Sequence, residues 1–469
     1  MTNQQRSARV EVWQLAWPAV LANLLQSMVG MVDVKVVGSL GPSALAAAAA
    51  GHRLFFVLQA VLMAVSTGAT ALIARSWGEG DRAEAARVVG SSLVVGSAIA
   101  FVMGALGFAT ADAFAVALGL DGEAAQLAAT YIRCISSFNV LFAVGLVIAA
   151  GLRAAGDTRT PLWFGAIANV VNGLLLFILV YGGFGFPSIG IAGAAIAGGI
   201  AFTVSAVLSL WLWLAGKLSI EPPRGGVLDR ARMRRLLRIG YPAALEQFVV
   251  QSGFFGFTFV IARFFGINAL AAYGIGVQIL SFSFVVGFGF SIAASTLVGQ
   301  HLGAGDRARA AQSGWRAMAL AVGSMTVLSF LIVIGARPIA QLMIEDPEVV
   351  RLTVVFIYIL GAAQPLMAIE FALGGALRGA GDTRFPLVAT FTGLIGGRLV
   401  LAAVFTWLGL SVEWIYGALL ADYVLKSTLL VARFRGTRWQ DALARSAPPG
   451  AAQPALADER ADSERPAAQ

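Results

Sequence analysis

The chain has 469 residues, of which 58% are hydrophobic and only 12% are charged. This composition excludes an ordinary soluble domain, in which about 25% of residues are charged. The only cysteine, Cys134, excludes an intramolecular disulfide, and two histidines leave too few ligands for a structural zinc site. Basic loops beside a membrane explain the net charge of +8 without a nucleic-acid partner.

Apolar runs separated by turn signals predict an all-α integral membrane protein with twelve transmembrane helices. A bilayer core about 30 Å thick needs roughly 20 apolar residues per helix, which leaves room for twelve helices with short loops. The first apolar run continues to Val37 without a small-residue cleavage site, so it predicts a membrane span and not a signal peptide. The predicted spans are 12–38, 43–75, 88–114, 124–152, 160–181, 189–214, 237–264, 269–299, 308–338, 348–377, 385–408 and 413–434.

The loops of this topology divide by charge. Loops on the side of the N-terminus hold most of the arginines, whereas the opposite loops hold acidic residues such as Asp112, Asp121 and Glu123. Because Lys-rich and Arg-rich loops stay in the cytoplasm, the sequence predicts a multi-pass membrane protein with both termini cytoplasmic. The inner-loop basic residues are Arg75, Arg82, Arg87, Arg153, Arg159, Arg307, Arg309, Arg316, Arg378, Arg384 and seven from Lys217 to Arg238.

An internal repeat divides the chain into two halves. The segment GLRAAGDTRTP at 151–161 recurs as ALRGAGDTRFP at 376–386, an offset of 225 residues, and GEGDRAEAA at 78–86 recurs as GAGDRARAA at the same offset. Because each copy holds an even number of spans, both copies enter the membrane from the same side. The sequence therefore predicts two parallel six-helix repeats that form a two-lobe bundle.

The predicted domains follow from this repeat. They are an N-lobe at 1–213, a cytoplasmic linker at 214–238, a C-lobe at 239–436 and a disordered cytoplasmic tail at 437–469. The linker combines Pro-Pro, Gly-Gly and clustered arginines, which predicts a mobile connection that touches anionic membrane lipid. The tail has no apolar period, which predicts disorder. Because the cleft lies between lobes of one chain, we expect a monomer.

The repeated loops carry a resemblance to a known family. GLRAAGDTRTP, ALRGAGDTRFP and STLVGQHLGAGDRARA at 295–310 resemble the inner loops of multidrug and toxic compound extrusion (MATE) transporters, in particular the bacterial NorM-like and DinF-like proteins. The resemblance implies a V-shaped two-lobe bundle in a bacterial inner (plasma) membrane, which exports small amphipathic or cationic organic compounds by alternating access. It also implies that inward protons or sodium drive this export, with no cofactor besides the coupling ion. The loops also suit a structural role, since Gly-Asp-Thr can form a tight turn and a helix cap.

Few ionisable residues lie within the predicted spans of the N-lobe, and such residues are functional candidates because burying them is costly. Asp33 on the first helix matches a proton-linked position of the family. The family's partner Asp on the fifth helix is replaced here by Leu176, although Asn172, four residues earlier, is present. Asp33 and Asn172 are therefore candidate coupling residues, with local pairing of Asp33 as the alternative. For His52 we expect a packing role.

The C-lobe has two further candidates, Glu246 and Glu370. The family's acidic positions on the seventh and tenth helices are Val250 and Met367 here, so both carboxylates are displaced toward the cytoplasm. We expect Glu246 and Glu370 to form a carboxylate pair that shares a proton or holds Na⁺. The alternative is a static bridge to an arginine such as Arg398.

Amide side chains on several spans predict a polar substrate cavity. Asn169 and Asn172 lie three residues apart on one helix face, where they can line a cavity or make interhelical hydrogen bonds. The predicted cavity residues are Gln26, Asn139, Asn169, Gln251 and Gln278.

Two other functions remain as alternatives. A related flippase for lipid-linked oligosaccharides would need a cleft rich in Arg and Lys to bind pyrophosphate. An integral-membrane lipid-modifying enzyme would need clustered acidic or His motifs at one membrane face, and the sequence has neither a D-x-x-D nor an H-x-x-x-H pattern. The sequence also lacks a G-x-x-x-x-G-K-S/T loop for ATP. We therefore expect a transporter and not an enzyme.

Overall fold

The computed structural model describes residues 3–183, 185 and 187–445. Within these residues, 11 helices are long and apolar enough to cross a membrane, and a bent pair of helices makes a twelfth span. This architecture confirms the predicted all-α membrane class. Spans 1 to 12 are Asn3–Gly38, Pro42–Gly78, Arg82–Ala109, Gly122–Ser137 with Asn139–Ala154, Arg159–Tyr181, Gly190–Leu214, Arg230–Phe264, Gly266–Gly303, Arg307–Ile334, Pro347–Gly379, Arg384–Trp407 and Val412–Arg435.

The internal repeat is reproduced in the positions of the helices. Span 3 and span 9 begin 225 residues apart, and each is followed by a short helix, Ala111–Ala117 or Ala336–Met343. The repeated Gly-Asp-Arg motif caps both spans. Asp81 accepts a hydrogen bond from the Glu84 backbone NH at 2.8 Å, and Asp306 accepts one from the Arg309 backbone NH at 2.8 Å. The repeat therefore encodes the same helix start twice.

The two copies differ at two helices. Span 4 is bent by 48° between Ser137 and Asn139, whereas its counterpart, span 10, is one continuous helix. The Phe138 ring at the bend packs directly over Gly199 of span 6, where a Cβ atom would lie 2.1 Å from the ring. Span 11 contains a π-helical segment, Thr392–Leu399, that its counterpart, span 5, does not have. These departures from symmetry distinguish the N-lobe, spans 1–6, from the C-lobe, spans 7–12.

Span 7 begins inside the predicted linker. Asp229 accepts hydrogen bonds from the backbone NH groups of Ala231 and Arg232 at 2.7 and 3.1 Å, and these bonds cap the helix at Arg230. The bond from Arg232, followed by that from Ala231, holds the pKa of the Asp229 carboxyl below its ordinary value. The non-helical linker is therefore shorter than the sequence indicated.

The predicted tail also begins as ordered chain. After span 12, Arg438–Asp441 form a 3₁₀ turn and Ala442–Arg445 form a short helix. The Trp439 ring is fully buried and stacks on Phe434 with ring centroids 4.5 Å apart, which holds this segment against span 12. This packing corrects the prediction of disorder for 437–445. The rest of the predicted tail, 446–469, lies outside the described residues.

The two lobes meet at the end of the bundle that carries the linker, which we call the linker end. A Cβ atom on Gly78 would lie 1.9 Å from the Gln300 carbonyl oxygen, and one on Gly303 would lie 2.1 Å from the Arg75 carbonyl oxygen. Gly78 and Gly303 are equivalent in the repeat, as are Arg75 and Gln300, so the two contacts mirror each other. We call these four residues the glycine clasp.

Hydrogen bonds between the lobes lie beside the glycine clasp. Gln300 Nε2 donates to the Ala154 carbonyl at 2.7 Å, and Thr296 Oγ1 donates to the Arg153 carbonyl at 3.0 Å. Toward the other end of span 1, by contrast, Met28 and Met31 are exposed. The lobes are therefore closed against each other at the linker end.

Candidate functional site

The first site lies between spans 1 and 5 of the N-lobe. Asn172 Nδ2 donates a hydrogen bond to Asp33 Oδ1 at 3.0 Å, so the structure brings together the two residues that the sequence singled out in this lobe. Asn172 is buried, and its side-chain oxygen has no hydrogen-bond partner among the described residues. Asp33 is half-buried. This arrangement leaves an intramembrane carboxylate that one neutral amide holds in place.

Two aromatic side chains lie near Asp33. The rings of His52 and Tyr131 stack with centroids 5.8 Å apart, and His52 Nδ1 lies 3.3 Å from Tyr131 Oη and 3.1 Å from the Ala48 carbonyl. Asp33 is close enough to interact electrostatically with both side chains. His52 therefore has the expected packing contacts but also belongs to the surroundings of Asp33. Sequence reasoning missed Tyr131, since no pattern in the chain pairs it with residues so distant.

The predicted cavity residues occupy different environments. Gln26 and Gln278 are exposed, and Asn169 and Gln251 are half-buried. Asn139 is only 1% exposed, and its Nδ2 donates to the Ala100 carbonyl at 2.9 Å. This burial corrects the prediction that Asn139 lines a cavity, because its side chain instead joins spans 3 and 4.

The two C-lobe glutamates each face a cation and are not hydrogen-bonded to each other. Arg378 Nη2 lies 2.6 Å from Glu246 Oε1, and Thr390 Oγ1 donates to the same oxygen at 3.2 Å. Lys426 Nζ lies 3.3 Å from Glu370 Oε1. The sequence considered a static bridge to an arginine, and the structure shows bridges with partners other than Arg398.

Arg398 instead pairs with a carboxylate that sequence reasoning overlooked. Its Nη2 lies 2.5 Å from Asp422 Oδ2, and Lys426 Nζ lies 3.1 Å from Asp422 Oδ1. Asp422 and Arg398 are 0% and 1% exposed, which makes this pair the most deeply buried part of the network. We call the six residues Glu246, Glu370, Arg378, Arg398, Asp422 and Lys426 the C-lobe charge cluster. It holds three carboxylates and three cations, so its charges balance when all are ionised.

The π-helical segment of span 11 positions Arg398. A Cβ atom on Gly393 would lie 2.6 Å from Asp422 Oδ1, so the absence of a side chain there allows span 12 to approach. The guanidinium carbon of Arg398 lies 5.6 Å from the ring centroid of Phe254 and 5.7 Å from that of Phe257. π-Helical turns within α-helices occur frequently at functional sites. Here the irregular turn places a buried cation against its carboxylate.

Replacing Asp422 by Asn is expected to destabilise the protein by about 3–5 kcal/mol, because it leaves Arg398 buried without its counter-charge. Thermal unfolding in detergent measures the loss. The control is the double variant Asp422→Leu with Arg398→Met, which removes both charges and is expected to unfold closer to wild type. An Asp422→Asn protein as stable as wild type would show that Arg398 is neutralised by another group.

The signal for Asp422 and Lys426 was present in the sequence. The two residues lie four apart in ADYVLK, within a predicted membrane span, where ionisable residues are costly and tend to be functional. Spacing of four places them on the same helix face. The sequence could not identify Glu370 and Arg398 as their partners, because spans 10, 11 and 12 meet only in the folded bundle.

Comparison with known proteins places this arrangement in a family. The family model for MatE matches residues 18–178 and 242–404, one segment in each lobe. The probable multidrug resistance protein NorM of Thermotoga maritima is 30% identical over 443 residues, which cover 92% of this chain and 93% of the relative. The protein of the same name from Rhodopseudomonas palustris is 30% identical over 437 residues, covering 88% of this chain and 91% of the relative.

Solved structures agree in fold. A MOP superfamily transporter from Pyrococcus furiosus superposes with a TM-score of 0.87 at 19% identity, covering 93% of this chain and 96% of that one. A mutant of the Vibrio cholerae MATE transporter VcmN superposes with a TM-score of 0.87 at 20% identity, covering 94% and 100%. With helices, repeat and both halves of the sequence in agreement, the chain belongs to the MatE family of membrane transporters.

Proposed function

We propose that the protein is a secondary active antiporter that exports amphipathic or cationic organic compounds in exchange for inward protons. The observation that carries the proposal is Asp33, a half-buried intramembrane carboxylate bonded to the neutral Asn172. Asp33 has no ion-pair partner among the residues that the structure describes, so it can gain and lose a proton without breaking an ion pair. The relatives named multidrug resistance proteins support the choice of substrate class.

Protons fit better than sodium because of the C-lobe charge cluster. Its three carboxylates already contact Arg378, Lys426 and Arg398, so a sodium ion there would have to displace a tethered cation. The same pairing disfavours the flippase alternative, since the three cations of the cluster are held by carboxylates and are not free for a pyrophosphate. The N-lobe carboxylate is thus the better coupling site.

The orientation of the protein in the membrane is part of the same proposal. The linker end carries arginines such as Arg82, Arg224 and Arg232, which supports a cytoplasmic position for this end in a bacterial inner membrane under the positive-inside rule. The glycine clasp then closes the cytoplasmic side of the pathway between the lobes. Alternating access requires the two lobes to separate at this side in another step of the transport cycle. Because 1:1 exchange of a monovalent organic cation for a proton moves no net charge, the pH difference drives it. Each pH unit supplies about 1.4 kcal/mol, enough for about tenfold accumulation.

Everted vesicles test the coupling ion directly. We expect an inside-acid pH gradient to drive uptake of an ethidium-like cation, whereas a sodium gradient without a pH gradient should drive none. Glu246→Gln and Glu370→Gln are expected to lower uptake while leaving its dependence on the pH gradient intact. Uptake driven by sodium, or loss of the pH dependence in either variant, would move the coupling site into the C-lobe.

A further inference from the structure

We propose that Glu370 and Asp422 form a cation-binding site that the ammonium of Lys426 keeps filled until an organic cation displaces it from Glu370. In this role Lys426 determines specificity: it excludes small inorganic cations and admits only ligands that gain enough apolar contact to compete. The identity of the displacing ligand rests on the proposed function, whereas the site itself rests on the geometry of spans 10 and 12.

The positions of the three groups support this exchange. Lys426 Nζ lies between the two carboxylates, 3.1 Å from Asp422 Oδ1 and 3.3 Å from Glu370 Oε1. The side chains of Lys426 and Asp422 are 6% and 0% exposed, but that of Glu370 is 19% exposed. A charged carboxylate facing lipid would be costly, which favours a position of the exposed part of Glu370 toward the cleft between the lobes. Glu370 is therefore the member of the site that a ligand reaches first.

Asp422 allows Lys426 to leave Glu370 without leaving the site. Lys426 follows Asp422 by four residues on span 12, so the two stay in contact along one helix face. Asp422 also holds Arg398 at 2.5 Å, which anchors the carboxylate when the ammonium shifts. Displacement therefore breaks a single ion pair, the one with Glu370, while the buried pairs remain.

The tethered ammonium of Lys426 selects among ligands because each ligand must compete with it for Glu370. Because Lys426 is attached to the protein, its effective concentration at Glu370 is on the order of millimolar or higher, and a free inorganic cation must exceed that to replace it. An amphipathic cation has the additional free energy of apolar burial. The Phe371 ring, next to Glu370 in the chain, packs against Phe288 and Phe284 with centroids 5.1 and 5.5 Å away, and Phe288 remains exposed. These rings supply an apolar surface on spans 8 and 10, within one helical turn of Glu370 along span 10.

The variant Lys426→Met tests the proposal, because it removes the ammonium and keeps an unbranched apolar side chain. We expect the purified variant to bind an ethidium-like cation at least 10-fold more tightly than wild type in fluorescence anisotropy. We also expect sodium chloride, compared with choline chloride at equal ionic strength, to raise its Tm and to weaken dye binding. Wild type should show neither sodium effect.

Three further variants complete the test. Lys426→Met combined with Glu370→Gln should lose both the tighter binding and the sodium effect, whereas Lys426→Arg should behave as wild type. Arg433→Gln is the matched control, since Arg433 lies on the same span and pairs with Asp382 outside the cluster. It should leave dye and sodium responses unchanged. If Lys426→Met does not fold, Lys426→Gln carries the same predictions.

The outcomes separate the two proposals. If Lys426→Met shows no sodium response and no tighter dye binding, Lys426 is a static bridge and the inference is overturned, whatever the transport assays show. If the variant responds to sodium but neither it nor wild type binds an organic cation, the filled cation site stands and the proposed substrate class is wrong.

Discussion

Gly303→Ala is expected to stop transport by preventing the lobes from closing at the linker end. The new methyl group would lie 2.1 Å from the Arg75 carbonyl oxygen, a distance that backbone atoms of spans 2 and 8 can relieve only by separating. Overpacking of this kind costs typically about 1–3 kcal/mol. This cost would shift the equilibrium between the closed and open arrangements of the linker end by roughly 5- to 150-fold. Because the glycine clasp is reciprocal, Gly78→Ala should have a similar effect.

Cysteine labelling from the linker side measures this opening. In a Cys134→Ser background, Ser76→Cys places a thiol at a buried position near the glycine clasp. A membrane-impermeant maleimide should label it faster once Gly303→Ala is added. Gly274→Ala is the control, because a Cβ atom there on the same span would meet no atom within 4 Å. Unchanged labelling and transport in Gly303→Ala would mean that the clasp does not close the pathway.

Asp33→Asn is expected to abolish ion-driven accumulation while the protein still binds its substrate. The amide cannot exchange a proton at neutral pH, so the free energy of the pH gradient, about 1.4 kcal/mol per proton and pH unit, is no longer available. The expected loss in everted vesicles is the full accumulation, about tenfold per unit of the imposed pH difference. Dye binding to the purified variant should stay within a few-fold of wild type, since the cation site proposed above lies in the other lobe.

Two control variants test whether the effect depends on the position of Asp33 and not only on the loss of a carboxylate. Asp112→Asn removes a carboxylate at the far end of the N-lobe that is exposed and pairs with Arg133, and it should transport normally. Asn172→Ala should lower transport without abolishing it, because Asp33 keeps its carboxylate but loses the amide that orients it. Normal accumulation by Asp33→Asn would exclude Asp33 as the coupling residue.

The sequence predicted those parts of the fold that depend on local pattern. Hydropathy predicted the spans, and Gly-Asp-Thr was expected to form a helix cap, which Asp157 provides by accepting a hydrogen bond from the Thr160 backbone NH at 3.0 Å. The sequence could indicate Asp33 and Asn172 as a pair of candidates because both positions match a pattern of the family. In the sequence Lys426 is one of three lysines, and its role could not be predicted because it depends on Glu370, which lies 56 positions earlier on another helix.

Local departures from ideal helix geometry were beyond sequence reasoning. The π-helical turn Thr392–Leu399 has no signature in its glycines alone, because glycine-rich stretches recur in several straight spans. The bend at Phe138 depends on packing against Gly199 of another span. Both features arise from contacts between helices, which override local propensity.

The reciprocity of the glycine clasp bears on how the chain arose from two copies of one unit. In a dimer of identical six-helix units, a single substitution at this glycine would have altered both halves of the closure simultaneously. Fusion into one chain removed that constraint, and Arg75 and Gln300 show the result. Arg75 now bonds Glu79 within its own lobe at 2.9 Å, whereas Gln300 reaches across to Ala154. Gene duplication thus allowed the two sides of the closure to acquire different hydrogen bonds.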